Sequence, residues 1–241
     1  MDDHARRPFF EEEHPMAVIT IFRQVGARGR YVAANLARTL DYNFSDYQNV
    51  ERILLRYGYS QVRDVYETVP DFWDRFTKKG PERDKINSLL RLVTRAEAQH
   101  GNVVMLGRGC FAALQGLSDV LNVRIKASVA VRIERVMEEQ QMTRSAAAAF
   151  VDEKDRLVAE FVKTSYGVSP DDPTVFDLVI DTAKIDPDAA VQWLAEAAGS
   201  LMCDPEKAPC AGGLQVDPVI ADAVRQEFER MRGIREQRRG R

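Results

Sequence analysis

Residues 17–40 read AVITIFRQVGARGRYVAANLARTL, and their reading decides the fold. Ala17–Phe22 is a six-residue apolar and β-branched run of the kind that is buried on both faces of a parallel sheet. RQVGARGR follows at once, with two glycines and three arginines, and YVAANLARTL after it is apolar at helical spacing. Where a buried strand meets a helix through glycines, the first N–H groups of the helix point into the loop and make an anion site. Gly26 and Gly29 allow close backbone approach there, and Arg23, Arg28 and Arg30 supply charge. The alternative is a tight strand-to-helix turn with exposed arginines. The loop is not a Walker A sequence: Gly29 and Arg30 take the places of its second glycine and lysine, but Gln24 stands at its first glycine. Tyr31 stands where a magnesium-binding Ser or Thr would be.

The rest of the chain repeats the alternation. From Asp46 to about His100 the pattern is helical and more polar, broken by Pro70 and Gly80-Pro81. Its aromatic residues, Tyr57, Tyr59, Tyr66, Phe72, Trp73 and Phe76, serve either as core or as the lining of a pocket. Strands are expected at Asn102–Gly107, Leu121–Lys126 and Phe176–Ile180, and helices from about Gly109, over Ser128–Gln140, over Ser145–Tyr166 and over Ala189–Met202. Strands alternating with helices imply a doubly wound, parallel α/β sheet. Residues 1–15 read as a loose charged tail and CDPEKAPCAGG as a linker. Asp217–Met231 reads as a polar helix, and the basic ending GIREQRRGR as a solvated, frayed terminus.

Composition narrows the class. At 241 residues the chain is long enough for one well-packed domain without staples. No apolar run reaches the roughly 18 residues a membrane helix needs, and a net charge of -3 argues against a surface built for nucleic acid. Arginine outnumbers lysine 26 to 8, which suits gripping phosphates by paired hydrogen bonds and equally suits a GC-rich genome. The first residues hold no apolar signal segment, so a reduced, cytoplasmic protein is expected. Cys203 and Cys210 have no further Cys or His at metal-ligand spacing, and their proximity is read as chance.

Two further groups of residues bear on chemistry. The strand at 102–107 runs into Gly107-Arg108-Gly109, which sets Arg108 at the carboxyl end of a parallel strand, where open α/β sheets bind ligands. Arg132 and Arg135 share one helical face. Glu153, Arg156 and Glu160 share another, opposite the stripe of Phe150, Leu157 and Phe161, as an ordinary solvated face would.

Taken in order, these elements resemble the nucleoside-monophosphate kinases, and among them the cytidylate kinase-like family. ITIFRQVGARGRYVAANLARTL is similar to that family's ITISRQ-x-GSGGR-x-IA-x-x-LA, and VVMLGRG and YGVSPDDPTVFDLVIDT match its later segments, so the likeness runs from about Ala17 to Met202. The resemblance implies a three-layer P-loop NTPase-like parallel sheet over 16–202, with a helical NMP-binding insertion at 46–100 and a lid hairpin at 128–166. It implies ATP, with Mg2+ carried in on its phosphates, as donor, and CMP or dCMP as acceptor. It assigns Arg23, Gly26, Gly29 and Arg30 to the ATP phosphates and Asp46, Arg52 and Arg108 to the acceptor. Arg132, Arg135, Glu153 and Arg156 fall to the lid, with Arg30, Arg132 and Arg156 acting on the transferred group and no protein ligand for a metal.

Several positions depart from the family pattern. Ala149 replaces a lid arginine, Asp152 replaces a basic residue, and Glu153 replaces an Asp. Arg28 replaces a loop glycine, and Phe22 a serine. An arginine acting on the transferred phosphoryl group is worth about 10³–10⁵ in rate. Two other functions are therefore carried beside the kinase: a nucleotide-binding sensor or partner protein that has lost the rate, and a kinase of another small phosphate acceptor.

Overall fold

The computed structural model of the protein describes residues 17–58 and 81–239. Five parallel strands form one sheet in the order β2-β3-β1-β4-β5, with β1 Val18–Arg23, β2 Asn43–Ser45, β3 Val103–Leu106, β4 Val120–Lys126 and β5 Leu178–Asp181. The central register pairs Ile19 with Val104 and with Leu121. Residues of β1 alternate between the two faces. Val18 and Phe22 enter one core with Val103 and Met105, whereas Ile19 and Ile21 enter the other with Val104 and Val123. A strand so buried on both sides has no polar face to keep, which is why its sequence is a continuous apolar run.

Two helices cover one face, α1 (Gly29–Thr39) and α7 (Pro187–Gly199). The other face carries α3 (Pro81–His100), the short α4 (Cys110–Ala113), and α6 (Arg144–Tyr166). Helix α2 (Tyr47–Arg56) follows β2, and α5 (Val129–Gln140) packs on α6 through Val136, Ala147 and Val151. This is the doubly wound arrangement that the strand and helix alternation implies, in the three layers that the resemblance implies. Three residues join α5 to α6, and Thr143 caps α6 by accepting from the Ala146 N–H.

Strand β2 is three residues long, two of them polar, too short to show a period, and the sequence reading expects no strand there. Three expectations are corrected. The C-terminal helix, α8 (Pro218–Arg239), does not fray after Met231. It lies along α2 and α3, burying Ile220, Val224 and Phe228, and Arg235 beyond Met231 donates to the carbonyl of Tyr42 at 2.8 Å. Cys203 and Cys210 are joined in a disulfide, so their proximity is not chance and this stretch is not reduced. The segment is no loose linker either: Asp119, at the head of β4, accepts from the Ala211 N–H at 2.8 Å. Cys110 is free and buried. The tail at 1–15 and the aromatic residues from Tyr59 to Phe76 lie outside the described residues. Among the described residues no helix is long and apolar enough to cross a membrane.

Candidate active site

The carboxyl ends of β1, β3 and β4 open onto the glycine loop between β1 and α1. Gly26 has φ +75°, a conformation that L side chains adopt at a cost, and a Cβ there would meet the Arg132 carbonyl at 2.7 Å. Gly29 begins α1 hard against β1, where a Cβ would lie 2.4 Å from that of Arg23. Arg28, between them, holds φ 56° with a full side chain, so the loop carries a left-handed residue of roughly 1–2 kcal/mol strain where the family pattern has glycine.

Helix α5 closes on this loop through two arginines. Arg132, almost wholly buried, donates to the carbonyls of Ala127 at 3.2 Å and Val25 at 3.4 Å and pairs with Asp155 of α6 at 2.8 Å. Burial holds the Asp155 carboxyl above the usual carboxylate range, against the pull of Arg132. Arg135 donates to the Gly26 carbonyl at 3.2 Å and to the Thr182 carbonyl at 2.7 Å. Partial burial and the nearby Arg28 cation both push its pKa below that of a free guanidinium. Both arginines thus bind α5 to the loop, with the charge of Arg132 met by Asp155.

The remaining candidates are dispersed. Arg23 extends over the end of β3, its Nη1 2.8 Å from where a Cβ of Gly107 would stand. It lines a cavity of about 130 Å³ with Gln24, Arg124 and Asp155. Arg30 pairs with Asp46 at 2.7 Å, while Asp46 also caps α2 through the Gln48 and Asn49 N–H groups. One carboxylate so ties the loop to α2. Arg52 donates through Nε to Glu227 of α8 at 2.6 Å. Arg156 and Glu153 face solvent on the outside of α6, bonded to each other, with Glu160 3.5 Å away. Phe22, in place of a serine, belongs to the core, its ring 5.3 Å from that of Phe111.

Arg108 is 2% exposed. Its Nη1 and Nη2 lie 3.3 Å from Glu97 Oε2, and Nη2 is 3.2 Å from Ser45 Oγ, which itself donates to Glu97 Oε1. Burial pushes the Glu97 carboxyl up, with Arg108 and Ser45 working against it. Sequence reasoning passed over Glu97, Ser45, Asp155 and Glu227. For Glu97 a signal was present: it continues the stripe of Leu90, Val93 and Thr94, an acid on a helix's inward face.

Tyr31, at the place of a magnesium-binding hydroxyl, donates instead to Asp188 of α7 at 2.7 Å. The grouping of three metal-ligating side chains found among the described residues is Asp119, Cys203 and Cys210, in which both cysteines are spent in the disulfide. Among the described residues, these groups do not fit a resident magnesium site.

The profile of the cytidylate kinase-like family matches residues 18–184. The chain is 28% identical over 171 residues to the cytidylate kinase of Pyrobaculum calidifontis, across 70% of this chain and 86% of that protein. It is 23% identical over 192 residues to the cytidylate kinase of Halobacterium salinarum, across 80% and 94%. An uncharacterized protein from Eubacterium ventriosum of known structure superposes with a TM-score of 0.60 at 17% identity, covering 77% of this chain and 99% of its own. That likeness is one of fold.

Proposed function

The chain belongs to the cytidylate kinase-like family and is a phosphotransferase of that kind, and from this premise we propose that it transfers the γ-phosphate of ATP to a nucleoside monophosphate, CMP or dCMP first. The observation that supports the reading is the meeting of Arg132 and Arg135 with the carbonyls of the glycine loop. Phosphoryl transfer asks little covalent chemistry of a protein; it asks for donor and acceptor in line and for neutralised charge. Loop N–H groups and Arg30 hold the donor phosphates, Arg132 and Arg135 offset the charge of the transferred group, and Asp46 and Arg52 orient the acceptor. Closure of α5 and α6 excludes water, which would otherwise take the phosphoryl group. Any magnesium enters on the ATP phosphates, and the cytoplasm, which supplies ATP, is the compartment this reaction implies, one in which the Cys203–Cys210 bridge must resist reduction.

One observation favours a second reading, a nucleotide-binding protein with a lowered rate. Arg108, the arginine the resemblance assigns to the acceptor phosphate, is spent on Glu97 inside the core, and Ala149 is an exposed alanine on the lid helix. A coupled ADP-release assay with ATP and magnesium, offering CMP, dCMP, UMP and AMP separately, decides between them, with Arg30→Ala run beside the wild type. Turnover with CMP or dCMP that Arg30→Ala loses supports the kinase. Absence of turnover, with ATP still raising the melting temperature by mass action, supports the second reading.

A further inference from the structure

Helix α8 lies beyond residue 184, where the family match ends, yet it is built into the main core. Ile220, Ala223, Val224 and Phe228 are buried there with Val50, Ile53 and Leu54 of α2. Beside them stands Glu227, with no exposed surface. A buried carboxylate is costly unless it is paired and hydrogen-bonded. Glu227 accepts from Arg52 Nε at 2.6 Å and from Arg230 at 2.7 and 2.9 Å, and Arg56 Nη2 lies 3.6 Å away.

The way Arg52 is held separates orientation from simple pairing. Only Nε is engaged: its two terminal nitrogens make no hydrogen bond to a described residue, and the side chain is 39% exposed. A guanidinium anchored at Nε presents its terminal N–H groups as a fixed fork, the geometry that grips a phosphate by two bonds. Arg52 also sits six residues after Asp46, which caps the same helix and holds Arg30 in the first turn of α1. The charge of Glu227 is shared with Arg230 and Arg56, so it does not cancel that of Arg52 alone.

We propose that Glu227 is a positioning residue for the acceptor: from the C-terminal helix it aims Arg52 at the acceptor's phosphate. This rests on the kinase reading above. The test is steady-state kinetics of the full chain with CMP, UMP and AMP. Glu227→Gln is expected to raise the KM for the acceptor about 10- to 100-fold, the range for loss of a charged hydrogen bond, with kcat and the KM for ATP nearly unchanged. Glu227→Asp, which keeps the charge one methylene further back, is expected between the two and serves also if the glutamine variant does not fold. In the Arg52→Lys background, Glu227→Gln or Glu227→Asp is expected to add nothing. Phe228→Leu loosens α8 without touching the carboxylate and is expected to lower the melting temperature but leave the acceptor KM alone.

An unchanged or lower acceptor KM in both Glu227 variants, beside a wild type that turns over, overturns the inference alone; a lower one means that Glu227 competes with the phosphate. An equal rise in Phe228→Leu makes the role structural and also overturns it. Wild type that turns over none of the three nucleotides overturns the kinase reading, and this inference with it.

Discussion

Replacing Arg108 by methionine tests whether this arginine serves the fold or the substrate. The guanidinium is 2% exposed and Glu97 not at all, and the two meet through a pair of N–H bonds of 3.3 Å to Glu97 Oε2. Methionine fills most of the space but leaves the buried Glu97 carboxyl without its cation, held by the Ser45 hydroxyl. Losing one partner of such a pair costs about 3–5 kcal/mol, which for a domain of this size is a melting-temperature drop of roughly 6–20 °C. Adding Glu97→Leu removes the stranded carboxyl, and the double variant should recover most of that loss. It still leaves the Ser45 hydroxyl without its acceptor, worth about 1–3 kcal/mol, which Ser45→Ala then relieves. The assay is urea denaturation of the single, double and triple variants, followed by circular dichroism. Stability should fall steeply in the single, rise in the double and rise again in the triple. A single variant within about 1 kcal/mol of wild type, or a double no better than the single, refutes the reasoning.

Four shorter predictions follow. Gly26→Ala should weaken ATP binding measured by calorimetry and lower stability by at least about 1–2 kcal/mol, since its Cβ must displace the Arg132 carbonyl from 2.7 Å; unchanged affinity counts against the loop as donor site. Arg28→Gly should gain about 0.5–1 kcal/mol in thermal denaturation by relieving a φ of 56°, less the entropy glycine adds to the unfolded chain; a loss would mean that the Arg28 side chain stabilises the loop. Reducing Cys203–Cys210, or Cys203→Ser, should cost about 2–3 kcal/mol for so short a loop, a drop of roughly 5–10 °C, and two thiols titrating in the untreated protein would contradict the bridge. Burial pushes the Glu227 carboxyl up, but hydrogen bonds from Arg230 and Arg52 hold it below its ordinary 4.5. Its contribution to stability is therefore full above that pH and lost as pH falls through the lowered value. The melting-temperature gap between wild type and Glu227→Gln should hold at neutral pH and close in acid, and a gap independent of pH would show that the pairing contributes nothing.

What was legible followed local rules. The run at Ala17–Phe22, the glycines after it and the apolar stripe of α6 each announce themselves within a few residues, because burial and backbone geometry act at a period of two or 3.6. Strand β2 was hidden because three residues cannot display a period. The bridge between Cys203 and Cys210 was passed over because spacing does not say whether two sulfurs will meet. Arg156 and Arg132 read alike as lid arginines. One is turned to solvent with Glu153 and the other buried beside Asp155, a difference that depends on which face of each helix its neighbour covers.

The succession of the longer strands and helices along the chain, and the place of the glycine loop among them, were determined by sequence alone, since each is written in a short apolar pattern; β2 and the spatial order of the strands were not. Which carboxylate answers which arginine was decided only by the tertiary structure. Arg52 and Glu227 are 175 residues apart, Arg30 and Asp46 are 16, and Arg108 and Glu97 are 11. A charge carries no directional pattern along the chain. Its partner is whatever the packed helices bring within reach, and in a protein with 26 arginines that choice separates a half-exposed guanidinium such as Arg52 from a buried strut such as Arg108.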